Sequence, residues 1–172
     1  MPYGLNMGRH MIHDILNPRP DQIDLEEIEV RLRKMHRFSN DPQALTVHTH
    51  RALVRKLALM SGESARVIQW CWHHDDHESV TGDIPGPLKA LIATETKLLK
   101  TVEHHLDRAI CQARSIQYPS RNIRTTAHKY DNMAETIEWT LVLGNDLAVW
   151  NAPCPFNEAQ QHAALKWSRD VT

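Results

Sequence analysis

The fold is decided by Trp70-Cys71-Trp72-His73-His74-Asp75-Asp76-His77-Glu78-Ser79-Val80-Thr81-Gly82-Asp83-Ile84-Pro85-Gly86-Pro87-Leu88-Lys89. An apolar run ends in a knot of imidazoles and carboxylates, a Gly/Pro-rich turn follows, and then a helical pattern begins. Neutral imidazole and carboxylate together are good ligands for a divalent metal. A polar helix end open to water is the plain alternative. Trp70 and Trp72 argue against it, because they mark the element leading in as buried.

Toward the N-terminus, Ser64 to Trp72 reads as a helix with Val67, Ile68, Cys71 and Trp72 on its apolar side, delivering His74 and Asp75 near its end. Thr46 opens the helix before it, which buries Val47, Leu53, Val54, Leu57 and Ala58 and closes at Ser61-Gly62. His50 lies on that helix, one turn before Val54; taken alone, a helical His is usually a satisfied core or surface residue. Asp24-Leu25-Glu26-Glu27 is a helix start, with a capping Asp and acid in the first turn. Ile28, Leu32 and Met35 carry that helix to about His36-Arg37-Phe38, and Ser39-Asn40-Asp41-Pro42 is a turn signal. Residues 1–20 read as an ordered arm with at most a short strand pair.

Toward the C-terminus, Pro87 suits the first turn of a helix. The apolar spacing from Leu88 to Ile110 predicts one long helix to about Ile116, stopped by Tyr118-Pro119-Ser120. His104 and His105 within it read as packing or solvent-facing residues. A fifth helix is expected from Arg121 to Leu143, ending at Gly144. On it Asp131 shares a face with Ala127, Ala134 and Glu138, and an Asp among small and apolar neighbours needs a partner, either a metal or a buried cation. Residues 153–172 hold Pro153 and Pro155, then Asn157 as the cap of a short helix through Trp167. No repeat and no useful alternating strand pattern is present. The expected fold is all-α, one compact bundle of about six helices over the whole chain.

The 172 residues suffice for a single sizeable core. Lys and Arg total 20 against 21 Asp and Glu, interspersed rather than blocked, so bulk attraction to nucleic acid or membrane is not indicated. Cys71, Cys111 and Cys154 are far apart and form no metal-binding or disulfide pattern. No run approaches a membrane span and no leader pattern is present, so a cytoplasmic protein is expected.

Three helices thus bring His50, the His74-Asp75 pair and Asp131 toward one point, a mixed N/O set for a first-row divalent ion with room for a water and a phosphate oxygen. Adjacent residues point about 100° apart on a regular helix, so His74 and Asp75 can both ligate only where the helix ends. In this order and spacing the chain resembles the HD-domain metal-dependent phosphohydrolases. His74 to Lys89 is similar to that family's H-D-x-x-E-x-x-x-G-D-x-P-x-P-x-K signature, and Leu45 to His50 to the segment that usually reads V-A-E-H. His36-Arg37-Phe38 resembles its R-F or R-W pair, and Lys129-Tyr130-Asp131 its K-x-A-D region. The likeness covers about Asn17 to Leu143. Thr49 stands where the family often has Glu, and Tyr130 where it usually has Ala.

The resemblance implies a divalent transition metal (Zn, Co or Mn) on His50, His74, Asp75 and Asp131, with Mg accompanying the substrate phosphates. It implies Glu78 and Asp83 as acid/base residues, and Arg37, Phe38, Pro87 and Lys89 toward the substrate, Phe38 crowding a ribose 2′-OH. Two branches are similar. One comprises phage-type enzymes that split dATP-like triphosphates into deoxynucleoside and triphosphate, which the N-terminal Leu16 to Asp21 and Ile23-Asp24 resemble somewhat more. The other comprises 5′-deoxynucleotidases acting on monophosphates. Homo-oligomers, without stable nucleic-acid or membrane partners, are expected, in host cytoplasm if phage-encoded. A helical metal-binding regulatory module is the alternative outside enzymes. Base preference is not legible in the sequence.

Overall fold

The structure, a computed structural model, describes residues 4–146 and 154–172; Pro2 and Pro153 lie outside the described residues. It is mostly helical, with one small antiparallel hairpin, β1 (Leu5–Met7) and β2 (His10–Ile12), paired in the register Leu5 to Ile12 and Met7 to His10. This is the short strand pair expected of the arm.

After a 3-10 turn (Pro20–Gln22), nine α-helical segments follow among the described residues: α1 (Leu25–Lys34), the single turn α2 (Arg37–Asn40), α3 (Val47–Met60), α4 (Ala65–His73), the short α5 (Glu78–Thr81), α6 (Gly86–Glu95), α7 (Leu98–Ala113), α8 (Arg121–Ile137) and α9 (Glu158–Asp170). A π-helical turn, Glu138–Val142, prolongs α8. α3 is the axis, packing against α1, α4, α8 and α9. Its first eight residues, Val47 through Val54, are all buried, so the helix is enclosed on every side there. Leu53, Leu57, Trp70, Ala134, Ile137 and Leu165 form one apolar cluster around it. Met7, Ile28, Leu32, Leu106 and Ile110 form a second beneath the hairpin.

Caps set the helix starts as the sequence predicts. Thr46, Ser64 and Ser120 each accept a backbone N–H from the residue three positions on, and Asn157 forms a reciprocal capping box with Gln160. Three boundaries differ from expectation. The first helix ends at Lys34, and Phe38, Ser39 and Asn40 take left-handed φ values of 52°, 61° and 63°. The helix expected from Pro87 to Ile116 is two: Thr96 is extended (φ −155°, ψ 148°) and its hydroxyl caps the Leu98 N–H at 3.1 Å, starting α7 afresh. Thr breaks the run here because its side chain competes for backbone donors. The last helix continues past Trp167 to Asp170.

Asp24 accepts the N–H groups of Glu26 and Glu27 and binds the Arg9 guanidinium Nε at 3.0 Å, tying the hairpin to α1. Hydrogen bonding from Arg9 leads the causes that hold its carboxyl well below the usual range. A carboxyl with depressed folded pKa contributes stability above its unfolded pKa and loses it as pH falls. Asp24→Ala should therefore destabilise the protein by about 1–2 kcal/mol at neutral pH and less at acid pH, read by urea unfolding across pH.

Candidate metal centre

α4 ends at His73, and the chain continues through i+3 turns, with Asp76 N–H donating to the His73 carbonyl and Glu78 N–H to that of Asp75. His74 and Asp75 therefore sit just beyond the regular helix, where the fixed angular spacing of neighbours no longer separates them. His50 arrives from α3 and Asp131 from α8.

His50, His74 and Asp75 each offer one ligand atom, all within 4.8 Å of one another. His74 Nε2 lies 3.1 Å from Asp75 Oδ2 and 3.6 Å from Asp131 Oδ1, and His50 Nε2 lies 3.0 Å from Asp131 Oδ1. The outer faces of both rings are held. His74 Nδ1 donates to the Cys71 carbonyl at 3.0 Å, and His50 Nδ1 stands 3.3 Å from Glu138 Oε2. Each ring thus turns Nε2 inward, the arrangement that orients metal-binding imidazoles. His74 Nε2 and Asp75 Oδ2 are buried without a hydrogen-bond partner. A cation between them would satisfy both, so the donor set fits a divalent metal.

The electrostatics agree. Burial opposes protonation of His74, but the charges of Asp75 and Asp131 outweigh it and raise its pKa well above the ordinary value. Burial likewise opposes ionisation of Asp131, and hydrogen bonds from His128 and His50, with the charge of His74, hold it well below the usual carboxylate range. The centre is built to hold positive charge.

A cavity of about 330 Å³ opens on this cluster. His74, Asp75 and Asp131 form one end of it, and Arg37, Phe38, Glu78, Asp83, Pro87 and Lys89 line the rest. His50 lies fully buried behind. The ten residues singled out in the sequence thus converge on one place. Burial pushes Glu78 up to about 7, with the Asp75 charge adding to the shift and Lys89 and His77 opposing it. Asp83 is also raised, chiefly by burial. Phe38 packs on Trp139 with ring centroids 5.7 Å apart.

Several residues here escaped the sequence reading. Glu138, fully buried, accepts the Leu45 N–H at 2.8 Å and meets Arg37 Nε at 3.1 Å as well as His50. Its signal was its place on the Asp131 face, though nothing marked it as a partner for His50. Glu135 reaches Arg37 at 3.4 Å, while His77 and Glu103 line the cavity from α5's entry turn and from α7. In the sequence His77 is one of several imidazoles around the doublet and Glu103 one of many interspersed acids, so neither stands out.

No family model matches the chain, and no curated protein matches it.

His74→Ala should abolish tight binding of one divalent ion per chain, and Glu138→Gln should weaken it by about 10- to 100-fold through the orientation of His50. Elemental analysis and competition with a chromogenic chelator measure both; full occupancy in His74→Ala would contradict the assignment.

Proposed function

We propose that this protein is an HD-domain metal-dependent phosphohydrolase acting on deoxynucleotides, a dNTP triphosphohydrolase with dATP preferred, giving deoxynucleoside and triphosphate. The observation that carries this reading is the buried His50, His74 and Asp75 group, with Asp131 beside it, at the end of a cavity that also holds Glu78 and Asp83. A divalent transition metal (Zn, Co or Mn) on those four residues supplies Lewis acidity toward a phosphate oxygen and an attacking water.

The chain's own residues do the rest. Glu78, nearly neutral in proton affinity, accepts the proton of the attacking water; a base with a pKa close to working pH combines availability with driving force. In this reading Asp83, which lines the same cavity in the turn after Gly82, passes a proton to the leaving oxygen. Arg37 is turned toward Glu138, Glu135 and Asp75, so it fixes the carboxylate wall as well as adding positive potential to the cavity. Phe38 and Pro87 supply apolar surface for the sugar. A ring against C2′ leaves a ribose hydroxyl without space or a partner.

Phosphate and triphosphate release measured across deoxy- and ribonucleoside mono- and triphosphates tests the reading. Release of triphosphate from dATP is expected; release of orthophosphate only, from deoxynucleoside monophosphates, would replace the triphosphohydrolase with a 5′-deoxynucleotidase. No turnover of any nucleotide would favour a metal-binding regulatory module.

Glu78→Gln should keep the metal and lower kcat by about 10²-fold or more. A base must be ionised to act, so kcat/KM should climb with pH through about 7 in the unsubstituted enzyme and lose that limb in the variant. The deoxy form should exceed its ribose counterpart by roughly ten- to a hundred-fold in kcat/KM, as expected for an unpaired buried hydroxyl. Phe38→Ala should narrow that gap more than it slows the deoxy substrate.

A further inference from the structure

Two permanent cations line the cavity among the described residues, Arg37 and Lys89. They are held very differently. Arg37 is buried, and its planar guanidinium is engaged by three carboxylates. Lys89 is one-third exposed and carries its charge on a flexible stem. Its Nζ lies 3.2 Å from Glu78 Oε1 and 3.6 Å from Glu103 Oε1. The first contact is a hydrogen bond; the second is too long for one, and Glu103 Oε1 is buried without a partner. Glu103 therefore attracts the ammonium without fastening it.

Glu103 belongs to a chain of polar groups crossing from α6 to α7. His77 Nε2 lies 3.8 Å from Glu103 Oε1, and His77 Nδ1 lies 3.0 Å from Asp107 Oδ1. Asp107 fixes the imidazole, and the imidazole stands behind Glu103. The groups around Lys89 are thus Asp75 and His77 from the turn after α4, Glu78 from α5, Asp83 from the Gly/Pro turn, and Glu103 from α7. Among the described residues the metal-binding geometry gathers at His50, His74 and Asp75, away from Glu103, so Lys89 and His77 are the basic groups that meet this carboxylate.

We propose that Lys89 is a parked cation: in the free protein it is shared between Glu78 and Glu103, and it passes to the phosphate of an entering substrate, with Glu103 as the positioning residue that holds it in reserve. The inference rests on the phosphohydrolase reading for its substrate, although the parking itself is a property of the pocket. A phosphate chain offers several anionic oxygens within one side-chain swing, so it outcompetes a single loose ion pair. Departure of the ammonium also leaves Glu78 free of its closest cationic partner as water is activated.

The test uses inorganic triphosphate as probe, with binding measured by calorimetry. Lys89→Met should weaken binding by about tenfold or more, the size of a lost charge-assisted hydrogen bond. Glu103→Gln, which keeps shape and removes the competing charge, should tighten it by about two- to fivefold, the size of a partly exposed ion pair. In the Lys89→Met background Glu103→Gln should then have no effect, because the residue acts through the lysine. A merely structural Glu103 would lower the melting temperature and leave this pattern absent. In the unsubstituted protein, the Lys89 side-chain nitrogen signal in an ¹⁵N spectrum should shift on adding triphosphate; an unmoved signal overturns the proposal, as does an effect of Glu103→Gln that persists without Lys89. If the binding pattern holds but no nucleotide is hydrolysed, the parked lysine stands and the hydrolase reading falls. Hydrolysis with no such pattern does the reverse.

Discussion

One buried carboxylate, Glu138, joins the parts of the site that come from far apart in the chain. Its Oε1 accepts the Leu45 N–H, and its Oε2 lies between Arg37 Nε and His50 Nδ1. One side chain thereby connects the end of α8, the segment before α3, the α2 turn and a candidate ligand imidazole. A carboxylate without any exposure persists only when opposite charge and donors surround it. Removing one member would strand the others, at a cost of about 3–5 kcal/mol for a buried pair. Glu138 also marks the start of the π-helical turn. Such turns recur at functional sites because they re-aim a side chain without ending the helix.

The same ion network offsets a local strain. Three successive left-handed residues cost about 1–2 kcal/mol each, and only Asn among Phe38, Ser39 and Asn40 adopts that conformation readily. The turn is closed at both ends. The Arg37 N–H donates to the Leu45 carbonyl, the Asp41 N–H to the Arg37 carbonyl, and the His36 N–H to Asn40 Oδ1. With Arg37 anchored inward by its carboxylates, the reversed turn brings Phe38 against Trp139 at the cavity edge. Strain at this position is sustained by the surrounding contacts and sets the orientation of a pocket residue.

The doublet is braced from its other side by a second set of charges. Asp76, next to Asp75, receives Arg51 at 2.7 Å, Arg114 at 2.8 Å and His73 at 2.9 Å. Glu29 from α1 binds both arginines. Arg51 also lies over the Trp72 ring at 4.4 Å. Acidic residues that look interchangeable in sequence thus have opposite tasks: Asp75 faces the candidate metal, and Asp76 pins the corner that carries it.

The sequence by itself determined the helices, their caps and the candidate ligands. Apolar spacing and capping side chains are local signals, and His50, His74, Asp75 and Asp131 stood out because each helix carried one feature its periodicity did not need. Glu78 and Asp83 were marked by the resemblance of His74 to Lys89 to a family signature. The break at Thr96 is local, set by its own hydroxyl on the Leu98 N–H. Tertiary structure alone decided the left-handed turn at Phe38, since that turn depends on the distant carboxylates that anchor Arg37. It decided the partners too. Nothing in the chain near Glu103 or Asp107 distinguishes them from solvated acids, and Glu138 shows only its place on the Asp131 face, because the charges that occupy them come from residues 14 to 101 positions away: His77 for Asp107, Lys89 and His77 for Glu103, and Arg37 and His50 for Glu138. Local pattern is written in neighbouring residues, whereas the pairing of buried charges is fixed only when the helices pack.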